Sequence, residues 1–219
     1  MKFIGRVWQT IFITNGLYVF ISFRNDGTKN DLTKLIPDLS DLKNIKVIPD
    51  GGFFAYENIQ TNHKNNKFTK IGINIAKDMK DIRFPEKSIN YEEYLMEMKK
   101  FLILISKDIK NLEIIFFPHI WSDMNIIGDL LSILPDEIRR EKTIVCELCC
   151  FKNHEDTIFK DYLKCDYILA TRFHSNIISL SNHIPTIAMI NCNQIRGLYR
   201  EIGLENYTLD VRKINFSEE

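Results

Sequence analysis

Residues 165–190 read CDYILATRFHSNIISLSNHIPTIAMI, and this stretch decides the fold. Tyr167–Ala170 is short and apolar throughout, as a strand buried on both faces must be. Ser175–Ser181 follows with helical spacing, and Thr186–Ile190 is again a buried strand. A strand, a helix and a strand with short connections make a parallel βαβ unit. The same alternation continues outward. Lys70–Ala76, Leu112–Phe117 and Thr143–Leu148 read as strands, with Ser88–Ser106, Met124–Leu134 and Glu155–Leu163 as helices. Asn90 followed by Glu93 suits the start of the first of these helices, and Pro135 ends the second. Downstream, Gln194–Ile202 reads as a helix and Tyr207–Leu209 as a last short strand. The expected fold class is α/β: a doubly wound, mainly parallel, Rossmann-like sheet with helices on both faces. Such sheets bind ligands beyond the carboxyl ends of their strands, so the residues just after each strand carry the functional argument.

The first sixty residues are less regular. Residues 4–23 (IGRVWQTIFITNGLYVFISF) have the length of a membrane helix. Arg6, Gln9, Thr10, Thr14, Asn15 and Gly16 interrupt them, and a charge at depth costs about 2.5–3.5 kcal/mol. Asn15-Gly16 is also a turn signal. The reading is a helix over about residues 2–13, a turn, and a strand Leu17–Phe23. A helix near Thr28–Ile36 and a strand Ile45–Ile48 follow, too little to close a doubly wound domain. Tyr56–Lys70 is polar and aperiodic, a linker. The division is therefore 1–60, a partial N-terminal Rossmann-like segment, and 61–219, a C-terminal Rossmann-like domain.

Composition narrows the function classes. With 45% hydrophobic and 26% charged residues among 219, the chain is neither disordered nor a disulfide-stapled miniprotein. Lys+Arg 29 against Asp+Glu 29 leaves no basic excess for nucleic acid. Five irregularly spaced cysteines read as reduced thiols of a cytoplasmic protein. Cys146, Cys149, Cys150, His154 and Cys165 lack the two paired segments of a zinc site, so no metal is expected. No glycine-rich phosphate loop or G-x-S-x-G elbow follows any strand, which weighs against dehydrogenase, kinase and hydrolase readings.

Three post-strand turns carry the candidate residues. In Ala170-Thr171-Arg172-Phe173-His174-Ser175, Arg172 and His174 flank a residue that can turn inward, so both can face a cleft. A helix N-terminus there favours an anion, Arg offers a planar fork for phosphate or carboxylate, and His can move a proton near neutral pH. Ser175, at the helix start, joins them. The structural alternative is an Arg paired with a carboxylate and a His capping the helix. Phe117-Pro118-His119-Ile120-Trp121-Ser122-Asp123 brings His119 to the same sheet edge, with Ser122 or Asp123 equally suited to capping a helix. In Ser22–Thr28, Arg24 is a second anion ligand, while Asp26-Gly27 and Asp50-Gly51-Gly52 read as turns. His63 and His183 read as solvated or structural.

Taken together, ISFRNDGT at 21–28 with VIPDGGF at 47–53, FFPHIWSD at 116–123, and residues 165–190 resemble the polysaccharide pyruvyl transferase family. IRGLYREIGLENY at 195–207 continues the likeness, which runs from about residue 17 to 210; its most specific part is Arg172-x-His174 with the downstream Pro-Thr strand. The resemblance implies a two-domain, GT-B-like architecture with the site between domains. It also implies transfer of the enolpyruvyl part of phosphoenolpyruvate onto two sugar hydroxyls as a ketal, for exopolysaccharide biosynthesis. On that basis His174 is the catalytic acid, and Arg172, Arg24, His119 and Ser175 bind substrate. No cofactor or metal is needed beyond phosphoenolpyruvate as donor. The partners are a carbohydrate or lipid-linked sugar acceptor, and the place is the cytoplasm, with room for a peripheral position at the inner membrane face. Gln194 departs from the pattern, standing where many members have a lysine. Members of the family also carry an opening strand with a glycine loop and closing C-terminal helices that are not recognised in this sequence, so residues 1–55 are expected to expose a sheet edge and apolar side chains. A sugar-nucleotide glycosyltransferase and an inactive binding remnant are the competing readings.

Overall fold

The computed structural model describes residues 21–37, 45–54, 67–77, 89–148, 155–213 and 215–218. The helix expected over 2–13, most of the strand Leu17–Phe23 and most of the linker lie outside these residues, as do Cys149, Cys150, His63 and His154.

Two parallel sheets are present among the described residues. The smaller pairs β1 (Ile21–Arg24) with β2 (Ile45–Ile48), with α1 (Thr28–Leu35) between them in sequence. The larger contains β3 (Thr69–Asn74), β4 (Leu112–Phe116), β5 (Thr143–Val145), β6 (Tyr167–Ala170), β7 (Thr186–Ile190) and β8 (Thr208–Asp210), in spatial order β5-β4-β3-β6-β7-β8 and parallel throughout. From β3 the chain first winds out to β5, then returns to β6 on the other flank of β3. That reversal is the topological switch point of a doubly wound fold, where a crevice opens at the carboxyl ends of the two central strands.

The connecting helices are α2 (Tyr91–Asp108), α3 (Trp121–Ile133), α4 (Glu155–Tyr162), α5 (Phe173–Ser181) and α6 (Asn193–Glu201). Neighbouring strand residues point to opposite faces, and both faces are covered. Leu169 packs into the core beneath α2 and α3, while Ile168 and Ala170 pack toward α4 and α5. Ala188 and Ile190 meet Phe173, Ile177 and Leu198 of α5 and α6. This is why the strands read as uninterrupted apolar runs. The capping box expected at Asn90 and Glu93 is formed in both directions.

Most boundaries moved by a residue or more, and three of the shifts have a visible cause. The third helix begins at Trp121 rather than Met124, because Asp123 accepts hydrogen bonds from the N–H groups of His119 and Ile120 and so starts it earlier. Strand β5 stops at Val145; it has β4 on one side and exposed Ile144 on an outer edge, so little holds a longer strand. Helix α5 begins at Phe173 rather than Ser175, which makes Arg172 its N-cap residue and puts His174 in the first turn.

The small sheet meets the large one through backbone. A Cβ on Gly197 of α6 would stand 2.3 Å from the Asp26 carbonyl oxygen, and Gly27 takes a left-handed φ of 82° against the Gly197 Cα. Only residues without a Cβ permit this approach and this turn. Among the described residues β1 and β2 pair with each other alone. Helix α1 buries no residue, and Leu35, Ile48 and Phe54 are exposed.

Candidate active site

A cavity of about 350 Å³ lies at the carboxyl ends of the strands, lined among others by Arg24, His119, Arg172, His174, Cys192 and Gln194. A larger hollow of about 620 Å³ sits at the opposite end, around Tyr167, Ile184, Pro185 and Tyr207. It is largely apolar and lined by no arginine or lysine, so the smaller cavity is the place for anion chemistry.

Asn74, the last residue of β3, is the brace of the site. Fully buried, it donates from Nδ2 to the Phe117 carbonyl and accepts at Oδ1 from the Arg172 N–H (2.8 and 2.9 Å). The loops leaving β4 and β6 are thereby tied across the switch point. Asn176 adds a second tie: its Nδ2 donates to the carbonyls of Ala170 and Arg172, and its Oδ1 accepts from the Tyr199 hydroxyl.

Arg172 donates from Nε and Nη2 to the two oxygens of Asp123, whose side chain is fully buried (Nε to Oδ2, 2.7 Å). This two-pronged contact fixes the guanidinium plane at the cleft wall. Asp123 thus serves both uses open to it, capping α3 and holding an arginine.

Arg24 leaves the end of β1 and is held from three directions. Nε and Nη2 donate to Asp26 Oδ2 (3.1 and 2.9 Å), and Nη1 donates to Asp50 Oδ2 (3.1 Å). Its guanidinium carbon lies 4.3 Å from the centre of the Phe173 ring, a cation–π contact. Of the five donors of an arginine, Nη1 and Nη2 each keep one hydrogen for a ligand. Asp26 is buried, and burial alone would raise its pKa. Hydrogen bonds from Thr28 and Arg24, with one from Gln194 (3.2 Å), reverse that and hold it below the usual carboxylate value.

The two histidines differ sharply. His174 is exposed at the mouth, its Nε2 4.0 Å from Asp50 Oδ2, and α5 has no side-chain cap, so His174 is not a capping residue. His119 is enclosed. Burial first, and then the nearby Arg172 and His174, disfavour its charged form and bring its pKa down to about 3. Its Nε2 is 2.9 Å from the Tyr162 hydroxyl. Ser175 does not line the cavity: fully buried, its hydroxyl lies 2.6 Å from the Tyr162 hydroxyl.

Cys146 and Cys165 lie beside Asp161, and burial pushes both thiols up, Cys146 to about 12, as for inert packed thiols. Sequence reasoning missed Asn74, Asn176, Tyr162 and Cys192. Asn74 alone carried a signal, an amide in the otherwise apolar run KIGINIA.

The fold and this cleft define a doubly wound α/β protein with a cavity lined by arginine and histidine at its switch point. The chain belongs to the polysaccharide pyruvyl transferase family, whose model matches residues 12–193. No curated protein matches it significantly. No helix among the described residues is long and apolar enough to cross a membrane.

Proposed function

We propose that the cleft binds phosphoenolpyruvate and transfers its three-carbon framework to two hydroxyls of one sugar, forming a cyclic pyruvate ketal and releasing phosphate. The observation that carries this reading is convergence: Arg24, His119, Arg172 and His174 come from three separate segments and line one cavity at the N-terminus of α5. The donor is a small, highly charged anion, and directed N–H groups with a helix N-terminus suit it. Because both arginines already contact carboxylates, attraction rests on orientation more than on net charge. A cavity of about 350 Å³ is at the small end of ligand sites, which favours a three-carbon phosphate over a sugar nucleotide.

In this mechanism His174 gives a proton to the methylene carbon, and the electron pair of the C=C bond forms the new C–H bond. The central carbon becomes electrophilic, and the oxygen of one sugar hydroxyl bonds to it. The C–O bond to phosphate breaks, its electron pair leaving with the phosphate, which takes up the first hydroxyl's proton. The second hydroxyl closes the ring and returns its proton to His174. Arg24 and Arg172 hold charge present throughout, so their loss weakens donor binding. Loss of His174 stops the chemistry, a positioned acid being worth about 10²–10⁴-fold in rate. The acceptor is a free or lipid-linked carbohydrate of a surface polysaccharide, met in the cytoplasm or at the inner membrane face.

The test is phosphorus NMR of the protein with phosphoenolpyruvate and a panel of methyl hexopyranosides. Acceptor-dependent growth of inorganic phosphate is expected. Consumption of a sugar nucleotide in place of phosphoenolpyruvate would overturn the reading.

A further inference from the structure

His119 is the end of a hydrogen-bonded chain that no step above uses. Ser175 Oγ, Tyr162 Oη and His119 Nε2 are linked in series at 2.6 and 2.9 Å. Tyr162 has no exposed surface, and its ring stacks on Phe117 at 4.0 Å, so the hydroxyl is fixed in place. The chain joins the loop after β4 to the first turn of α5, the two segments that carry His119 and His174.

One order of donors satisfies both hydroxyls along this chain. Ser175 is fully buried, and its hydroxyl meets no polar atom but Tyr162 among the described residues. If His119 donated to Tyr162 and Tyr162 to Ser175, the Ser175 hydrogen would have no acceptor, a buried loss of about 1–3 kcal/mol. With Ser175 donating to Tyr162 and Tyr162 to His119, both hydroxyl hydrogens are used. Nε2 then accepts, and the imidazole proton sits on Nδ1, which makes no bond within the described protein.

We propose that Ser175 and Tyr162 fix His119 as a neutral imidazole that presents its Nδ1–H to the anionic donor in the cleft, which makes Tyr162 a positioning residue of this site. The identity of the ligand rests on the phosphoenolpyruvate reading; the tautomer does not. Charge supports the assignment from every side. Arg172 and His174 face the ring from the β6–α5 turn, Arg24 lines the same cavity, and the Asp123 carboxylate accepts the His119 backbone N–H while engaged with Arg172. Burial first, and then Arg172 and His174, disfavour a charged ring. A neutral N–H donor bonds to a phosphate or carboxylate oxygen without surrendering its proton. Proton delivery is thereby left to His174, and two histidines in one cavity take different work because their surroundings differ.

Long-range proton–nitrogen correlation spectra of the full chain labelled with nitrogen-15 histidine test this directly. Without ligand, from pH 8 to 5, His119 should show a protonated Nδ1, a bare Nε2 and no titration. Tyr162→Phe keeps the stacked ring and removes the hydroxyl, so an Nε2–H fraction should appear; Ser175→Ala leaves His119 as the acceptor of the Tyr162 hydrogen and should keep Nδ1 protonated. A wild-type Nε2–H tautomer, titration near pH 6.5, or a spectrum unaltered by Tyr162→Phe overturns the proposal. With phosphoenolpyruvate added, the Nδ1 proton should shift, and His119→Ala should weaken donor binding by roughly 10- to 100-fold, the value of a hydrogen bond to a charged group. A shift with inorganic phosphate but not with phosphoenolpyruvate keeps the neutral donor and refutes the donor reading. No shift with either overturns the claim that Nδ1–H meets an anion.

Discussion

Replacing Asp123 by alanine should be among the most damaging single changes in the chain. The carboxylate is fully buried and Arg172 keeps only 15% of its side-chain surface exposed, so the substitution takes the two-pronged Asp123 contact from a guanidinium largely out of water. Removing one member of such a pair costs about 3–5 kcal/mol. The N–H groups of His119 and Ile120 also lose their acceptor, and a lost cap costs about 0.5–2 kcal/mol. Arg172 is not wholly enclosed and can relax toward the cleft, so a total of about 3–5 kcal/mol is expected. For a chain of this size each kcal/mol moves Tm by about 2–4 °C, which gives a fall of roughly 6–20 °C. Thermal and urea unfolding at neutral pH, followed by circular dichroism, measure it. The double variant Asp123→Ala, Arg172→Ala should recover about 1 kcal/mol or more relative to the sum of the single losses, because both single changes lose the same contact. A loss below about 1 kcal/mol for Asp123→Ala, or strict additivity in the cycle, would show that the pair does not hold the site.

Three further outcomes follow from particular contacts. Since the folded pKa of His119 is about 3 and an unfolded histidine has one near 6.5, the unfolded state binds the extra proton between those values; stability should fall as pH drops from 6.5, by up to about 1.4 kcal/mol per unit. His119→Gln should flatten that slope between pH 6.5 and 5, above the range in which Asp26 and Asp210 titrate, and an unchanged slope in urea titrations would refute the assignment. Gly197→Ala forces a Cβ onto the Asp26 carbonyl, so it should cost about 1–3 kcal/mol and loosen the turn that holds Arg24, seen as weaker phosphate binding by calorimetry. Gln194→Lys puts a cation beside Asp26 at the cavity mouth and should tighten phosphoenolpyruvate binding about two- to five-fold at low salt, a gain that 0.5 M salt should largely remove.

The large sheet was legible because its strands are buried on both faces and therefore spell out as apolar runs: β6 and β7 match residue for residue what Tyr167–Ala170 and Thr186–Ile190 predict. The Asn90–Glu93 box was legible because capping is local. Strand order was not written in the chain, since β3 pairs with β6 across an interval of about ninety residues that holds two other strands. The candidate site was legible to the same depth. Arg24, His119, Arg172 and His174 stand out because they follow strands, and the cavity brings them together. What holds them did not stand out. Tyr162 reads as one more apolar residue of a helix, yet its hydroxyl joins residues 43 positions before and 13 after it. Asp123 looks like a cap and is one, and only three-dimensional proximity reveals that it also grips an arginine 49 residues away. Ser175 looks exposed at a helix start but lies inside, because α5 begins two residues earlier and turns that position toward the core.

The central claim is that this cleft protonates the methylene carbon of phosphoenolpyruvate and transfers the resulting pyruvyl unit to a sugar, with His174 as the acid. The most direct measurement is to run the reaction in D₂O with the panel of methyl hexopyranosides and to examine the product by proton NMR and mass spectrometry. The account predicts a ketal whose methyl group carries one solvent deuterium, formed together with one phosphate per ketal. With His174→Ala, formation should drop by about 10²–10⁴-fold while phosphoenolpyruvate binding is largely kept. A ketal methyl free of deuterium, or a His174→Ala protein that releases phosphate at the wild-type rate, would contradict it.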